Sequence, residues 1–163
     1  MSEAGSAVLP DGGKVTIRHA RREDLPALVA LFAADSLGGH GDTSDPVAAG
    51  DYLAAFEEIE RSPNDRLYVA ELAGEVAGTF QTTLTRTLTG RGSLKMTVEA
   101  VQTRADLRGR GIGAAMIRFA IEEARRAGAR QVQLMSNAVR VDAHRFYERL
   151  GFAKSHVGFK LKL

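Results

Sequence analysis

The stretch Arg108-Gly109-Arg110-Gly111-Ile112-Gly113 limits the fold of this chain more than any other. Residues 94–102 before it are rich in apolar and β-branched types, as a strand requires, and after it Ile112, Met116, Phe119 and Ala120 recur on one helical face. The order is therefore strand, glycine turn, helix. Glycines remove the Cβ atoms that would hold a ligand away from consecutive backbone N–H groups, and a helix starting near Gly111 aims its positive end at the same place. Arg108 and Arg110 add positive charge at the rim, which suits an anionic ligand such as a pyrophosphate.

Such a turn also has a purely structural reading, a strand-to-helix connection carrying solvated arginines. Gly109, Gly111 and Ala114 fit the dinucleotide fingerprint G-x-G-x-x-A as well. That fingerprint expects an acidic residue at the end of the next strand, about 20 residues on. The next apolar run, 131–135, ends instead in Ser136 and Asn137. No Gly-Lys-Ser/Thr follows the glycines, which excludes a P-loop.

The turn resembles motif A of the GNAT family of N-acetyltransferases, whose signature Gln/Arg-x-x-Gly-x-Gly/Ala is met by Arg108, Gly111 and Gly113. Downstream, Asn137 and then Ala143-His144-Arg145-Phe146-Tyr147-Glu148-Arg149-Leu150-Gly151-Phe152 resemble the closing motif of that family at the expected distance. The resemblance covers residues 15–163, and the C-terminal third is most similar to aminoalkylphosphonate N-acetyltransferase-like members. It implies an α/β chain with the GNAT (acyl-CoA N-acyltransferase) fold, a mixed sheet of six or seven strands with helices on both faces. It also implies acetyl-CoA as cosubstrate and a small-molecule primary amine as acceptor.

Composition bounds the alternatives. A chain of 163 residues with 44% hydrophobic and 26% charged residues can bury a sizeable core as one soluble domain. A net charge of +2, with bases interleaved among acids as in Arg21-Arg22-Glu23-Asp24, argues against a nucleic-acid partner. The chain has no cysteine, so disulfides, thiolate metal sites and a cysteine nucleophile are excluded, and a cytoplasmic location fits. Its histidines are too dispersed for a metal motif, and no metal is expected. Residues 1–13 lack a basic start and a long apolar run, so they read as a disordered leader rather than a signal peptide or membrane segment, before a single domain at 14–163. A homodimer is compatible with this reading.

Along the chain, residues 15–20 alternate as a half-buried strand. Asp24 is placed to cap a helix carrying Pro26, Leu25, Leu28, Leu31 and Phe32, and Asp45-Pro46 opens a second one to about Arg61. The turn-rich loop 35–44 lies between them, where the resemblance makes His40 and Asp42 candidates for touching the acceptor. Strands 66–72 and 76–84 are joined by Ala73-Gly74-Glu75, a hairpin signature. After a loop at 85–93, the central strand 94–102, the glycine turn and its helix run to Ala127. A strand at 131–135, a short helix at 142–150 and a hairpin of 152–156 with 159–163 through Gly158 complete the expectation.

A thioester is electrophilic enough for a neutral amine to attack it, so the protein need only hold the reactants, remove one proton and protonate the leaving thiolate. Tyr147, a phenol of pKa about 10, is the candidate acid; the resembled family often carries a tyrosine there, though the position also suits a core aromatic. Glu99, a carboxylate in an otherwise apolar strand, is the candidate proton acceptor, with a structural ion pair as its alternative. Main-chain groups of Val101 and Thr103 are expected beside the pantetheine arm, where an N–H can polarise the thioester carbonyl. Asn137 is expected to bond the same arm or to cap a helix, and residues 108–113 to hold the pyrophosphate. His144 and His156 are further candidates for the acceptor pocket, and His19 reads as structural. Two other functions fit the same residues: a protein N-terminal or lysine acetyltransferase, and a non-catalytic acyl-CoA-binding sensor.

Overall fold

A computed structural model describes residues 3–37 and 40–163; Met1 and Ser2 of the expected leader, and Gly38 and Gly39 of the expected loop, lie outside the described residues. One mixed sheet keeps its six strands in chain order: β1 (Glu3–Val8), β2 (Lys14–His19), β3 (Asp65–Leu72), β4 (Glu75–Arg86), β5 (Leu94–Thr103) and β6 (Gln131–Leu134). The first five form an antiparallel meander. β6 lies parallel to β5, because the intervening helix carries the chain back to its starting end. The helices are α1 (Leu25–Ala33), α2 (Ala49–Arg61), the short α3 (Thr89–Gly92), α4 (Ile112–Arg126) and α5 (Val141–Arg149).

Alternation along the strands assigns two cores to the two faces. Val15, Ile17, Tyr68, Ala70, Phe80 and Val98 pack beneath the α4 stripe of Ile112, Ala115, Met116, Ile117 and Ala120. Tyr68 stacks on Phe80 with ring centroids 4.8 Å apart, and Phe119 meets both edge-on. Val69, one residue from Tyr68, points the other way and joins Leu28 of α1 and Phe56 of α2. Full burial of a side chain such as Phe80 contributes about 1.5–3 kcal/mol. Helices on both faces of a mixed sheet are thus the expected architecture, with six strands.

Two terminal expectations are corrected. The segment 1–13 is not a disordered leader over its described part. Residues 3–8 pair with β2, whose outer edge is otherwise open, while Leu9 is buried and Ala7 packs against the same core. At the other end, residues 152–163 form no hairpin. Their alternation is strand-like, but among the described residues no strand pairs with them, the backbone bonds of Phe152 and Ser155 being local, and Phe159 and Leu161 are 92% and 85% exposed.

Asp24 has a different role from the helix cap that was expected of it. Its carboxylate accepts bidentate hydrogen bonds from Arg18 at 2.7 and 2.9 Å and a third from the Arg21 N–H at 2.7 Å. Arg18 also reaches Glu71 at 3.0 Å, tying β2 and β3 to the start of α1. Burial opposes charge on Asp24, but the Arg18 and Arg21 hydrogen bonds prevail and hold its pKa below the usual carboxylate value. Asp24→Ala would leave the buried Arg18 with Glu71 as its remaining carboxylate and is expected to cost about 1–3 kcal/mol in urea unfolding. Because the folded-state pKa is lowered, the stabilisation is complete above the unfolded value near pH 4 and is lost as pH falls through the folded one. A variant as stable as the parent at pH 7 would refute this role.

Candidate active site

A β-bulge in β5 organises the cleft. Gln81 pairs with Glu99 and Thr79 with Gln102, so Phe80 faces the two residues Ala100 and Val101, and Ala100 adopts φ 51°. In a regular strand Glu99 and Gln102, three apart, would face opposite ways. The extra residue puts both on the face covered by α1 and α2, with Gln81 and Thr79, while Val98 and Val101 both pack toward α4. The last β5–β6 partners are Val98 and Leu134, so among the described residues no strand lies beside the edge of β5 away from β4 beyond the bulge. An extended ligand arm can run along such an edge.

The glycine turn closes one end of this opening. Among the described residues, the N–H groups of residues 109–114 donate to no protein acceptor; the first helical bond is Ala115 N–H to the Gly111 carbonyl at 3.0 Å. Consecutive free donors at the start of a 15-residue helix fit the pyrophosphate of a CoA thioester. A cleft of about 630 Å³ lies beside Arg108 at the start of the turn, walled by Thr103, Arg104 and Arg108 on one side and by Ala27, Ala30 and Leu31 of α1 and Ala34 just past it on the other. Arg108 is exposed and donates from Nε to the Thr103 carbonyl at 3.3 Å. Arg110 is turned away from this cleft into an ion pair with Asp11 of the β1–β2 turn, at 2.6 Å. Gly111 has φ +91°, and a Cβ there would lie 3.0 Å from Cδ of Pro10 in the same turn. Its need for glycine therefore arises from backbone conformation and from packing beneath the turn. Ile112 is buried in the core, and Gly113 lies against Phe146 of α5.

The structure separates the two candidate proton-transfer groups by face. Tyr147 packs from α5 onto the α4-side core, with its ring edge-on to Phe146 and Phe152 at 5.1 and 5.9 Å. Burial raises its pKa, partly offset by Arg140, so the phenol keeps its proton at neutral pH. Glu99 is exposed on the α1 and α2 face, and no ion pair holds it among the described residues. Exposure removes the desolvation cost that its apolar neighbours implied.

The other candidates make local contacts. Asn137 accepts from the Val139 N–H at 3.1 Å, a turn closure rather than a helix cap, while its carbonyl faces Nε2 of His144 at 2.9 Å. Lys154 lies 3.4 Å from Nδ1 of His144, and since lysine only donates, Nδ1 is the acceptor and Nε2–H donates to Asn137. His156 contacts Ser155 in the exposed tail, and Asp42 accepts from the Tyr52 hydroxyl at 2.9 Å. A cluster with no signature in the sequence lies beside the bulge. Asp35, just past α1, accepts from Arg140 Nη2 at 2.6 Å and from Gln102 Nε2 at 2.8 Å. The partners are 105 and 67 residues away, so no local pattern announces them.

This arrangement, a splayed strand pair beside a bulge with a donor-rich turn at a helix N-terminus, defines a class of enzymes that transfer acyl groups from CoA thioesters. The model of the Acetyltransferase (GNAT) family matches residues 25–152, and the chain belongs to that family, with acetyl-CoA as its cosubstrate. The chain is 32% identical over 143 residues, 88% of each protein, to an aminoalkylphosphonate N-acetyltransferase of Salmonella typhimurium. A solved structure described as a transcriptional regulator from Bacillus halodurans C-125 is 40% identical, with TM-score 0.88 over 91% of this chain and 99% of that one. An aminoglycoside N-acetyltransferase solved with CoA shares the fold at 20% identity, with TM-score 0.75 over 94% and 97% of the two chains.

Gly111→Val is expected to destabilise the ligand-free protein by about 1–3 kcal/mol through the Pro10 clash and the left-handed backbone. Gly109→Ala, where no atom lies within 4 Å, should cost only backbone strain, about 1 kcal/mol. Thermal denaturation without CoA separates the two, and an undisturbed melting point for Gly111→Val would contradict the packing described.

Proposed function

We propose that the protein transfers the acetyl group of acetyl-CoA to the primary amine of a small molecule, by direct attack in a ternary complex. The observation that carries this reading is the open edge of β5 past the bulge, with a protonated phenol on one side of the sheet and a free carboxylate on the other. The pantetheine arm lies along Val101 and Thr103, where an N–H polarises the thioester carbonyl, and Asn137 donates to it from the facing loop. Residues 108–113 hold the pyrophosphate through their N–H groups, with Arg108 as the nearby cation. The amine enters from the α1 and α2 face, and Glu99 accepts its proton directly or through water. The nitrogen attacks the carbonyl carbon, the C–S bond breaks, and Tyr147 protonates the departing thiolate.

The kinship with an aminoalkylphosphonate N-acetyltransferase supports a small amine over a peptide acceptor. A panel of small amines, including aminoalkylphosphonates, and of peptides with free N-termini or lysines, assayed by CoA release, tests the choice. Turnover of peptides alone would move the assignment to a protein acetyltransferase, and no turnover with retained CoA binding would leave a sensor. Among the described residues no helix is long and apolar enough to cross a membrane. A cytoplasmic location is part of the same proposal. The exposed Phe159 and Leu161 support a homodimer, which sedimentation would reveal.

Double-reciprocal plots against amine at several acetyl-CoA concentrations should intersect; parallel lines would show an acetyl-enzyme and exclude direct attack. Tyr147→Phe keeps the ring that packs on Phe152 and removes only the hydroxyl. Its kcat should fall on the order of 10²-fold while CoA affinity is unchanged. Full activity from pH 6 to 9 would remove Tyr147 from the mechanism.

A further inference from the structure

The Asp35 cluster joins three elements that the proposed reaction must keep in register. Asp35 is largely buried, with its side chain 12% exposed, and both of its oxygens lie 2.6 Å from Nη2 of Arg140. Oδ2 also accepts the Gln102 amide. Arg140 immediately precedes α5, which carries Tyr147 two turns further on. Gln102 immediately follows Val101 in β5, and it faces Asp35 because the bulge turns it to the α1 side. Among the described residues, Arg140 to Asp35 is the one ion pair linking the start of α5 to another element; the Asp142–Arg145 pair lies within the helix. The rest of its attachment is the exposed hydrogen bonds of His144 to the nearby Asn137 carbonyl and Lys154, and apolar packing of Phe146, Tyr147 and Leu150, which resists sliding less than a directed, partly buried ion pair does.

We propose that Asp35 is a positioning residue that, through Arg140 and Gln102, fixes the Tyr147 helix relative to the Val101 segment of β5 and so aligns the proton donor with the thioester. This rests on Tyr147 and Val101 acting as proposed above. One carboxylate then holds both sides of the splay: the guanidinium fixes where α5 begins, and the amide fixes the strand at the residue after the polarising N–H. The cluster touches neither reacting atom and acts only through geometry.

The test is a double-mutant cycle on the full chain. Asp35→Asn keeps the shape and removes the charge that holds Arg140. It should lower kcat about 10-fold to 100-fold, the scale of a displacement near 1 Å, and change the KM for acetyl-CoA less than about 3-fold. In the Tyr147→Phe background the same substitution should cost less than about 3-fold more, because the alignment it protects no longer matters. Arg140→Met, which retains the apolar stem, should reproduce both results and serves if Asp35→Asn folds poorly. Equal losses in both backgrounds would overturn the proposal and leave the cluster a stability element. A loss confined to the KM for amine would overturn it in favour of an acceptor-binding role. Wild-type kcat in Tyr147→Phe alone would refute the underlying mechanism, a result distinct from a slow Tyr147→Phe whose effect merely adds to that of Asp35→Asn.

Discussion

An additional residue at Ala100, held at φ 51°, reverses the facing of β5 part-way along its length, and the architecture of the cleft depends on that reversal. Upstream, Met96 and Val98 are buried, and downstream Val101 packs against the same α4-side core. Without the bulge, Val101 would leave the core and Gln102 would enter it, at the cost of an apolar contact and a buried amide. The bulge also strengthens the local twist, and pairing with β6 stops at Val98. Side-chain facing and the width of the opening are therefore two outcomes of one backbone irregularity.

Charge pairs secure the helix that walls this opening. Asp24, immediately before α1, holds Arg18 of β2, and Asp35, just beyond its end, holds Arg140 from the far side of the cleft. An anion before the first turn agrees with the helix dipole, whereas one past the last turn opposes it. Burial also disfavours the charge on Asp35, yet the hydrogen bonds from Arg140 and Gln102 keep its pKa low. Between these anchors Ala27, Ala30 and Leu31 of the helix, with Ala34 just past its end, line the cleft, and the three alanines leave room that larger side chains would fill. Rigid ends and a small-residue wall suit a site that must admit an extended arm without closing over it.

Local chemistry made much of this legible beforehand. The α4 stripe follows from its 3.6-residue periodicity, and the β3–β4 hairpin from Ala73-Gly74, both of which adopt positive φ. Tyr147 was readable as a packed aromatic from its helical spacing, and the burial that follows from that packing keeps its phenol protonated. For Arg110 and Gly111 the position in the turn was evident but the partners were not, because Asp11 and Pro10 come from a segment whose sequence reads as a disordered leader. The terminal alternation at Phe159 and Leu161 was real, yet a strand also needs a neighbouring edge.

What the sequence by itself determined is therefore short-range. The order of strand, glycine turn and helix, the amphipathic faces and the absence of any thiol nucleophile all follow from residues within a few positions of one another, or from composition. Tertiary structure decided which residues meet. It turned Glu99 and Gln102 to one face, seated β1 on the edge of β2, and brought Asp35 together with Arg140 across 105 positions. The physical reason is that periodicity reports the conformation a segment prefers, whereas register, bulges and buried ion pairs are fixed only when separate segments exchange water for one another.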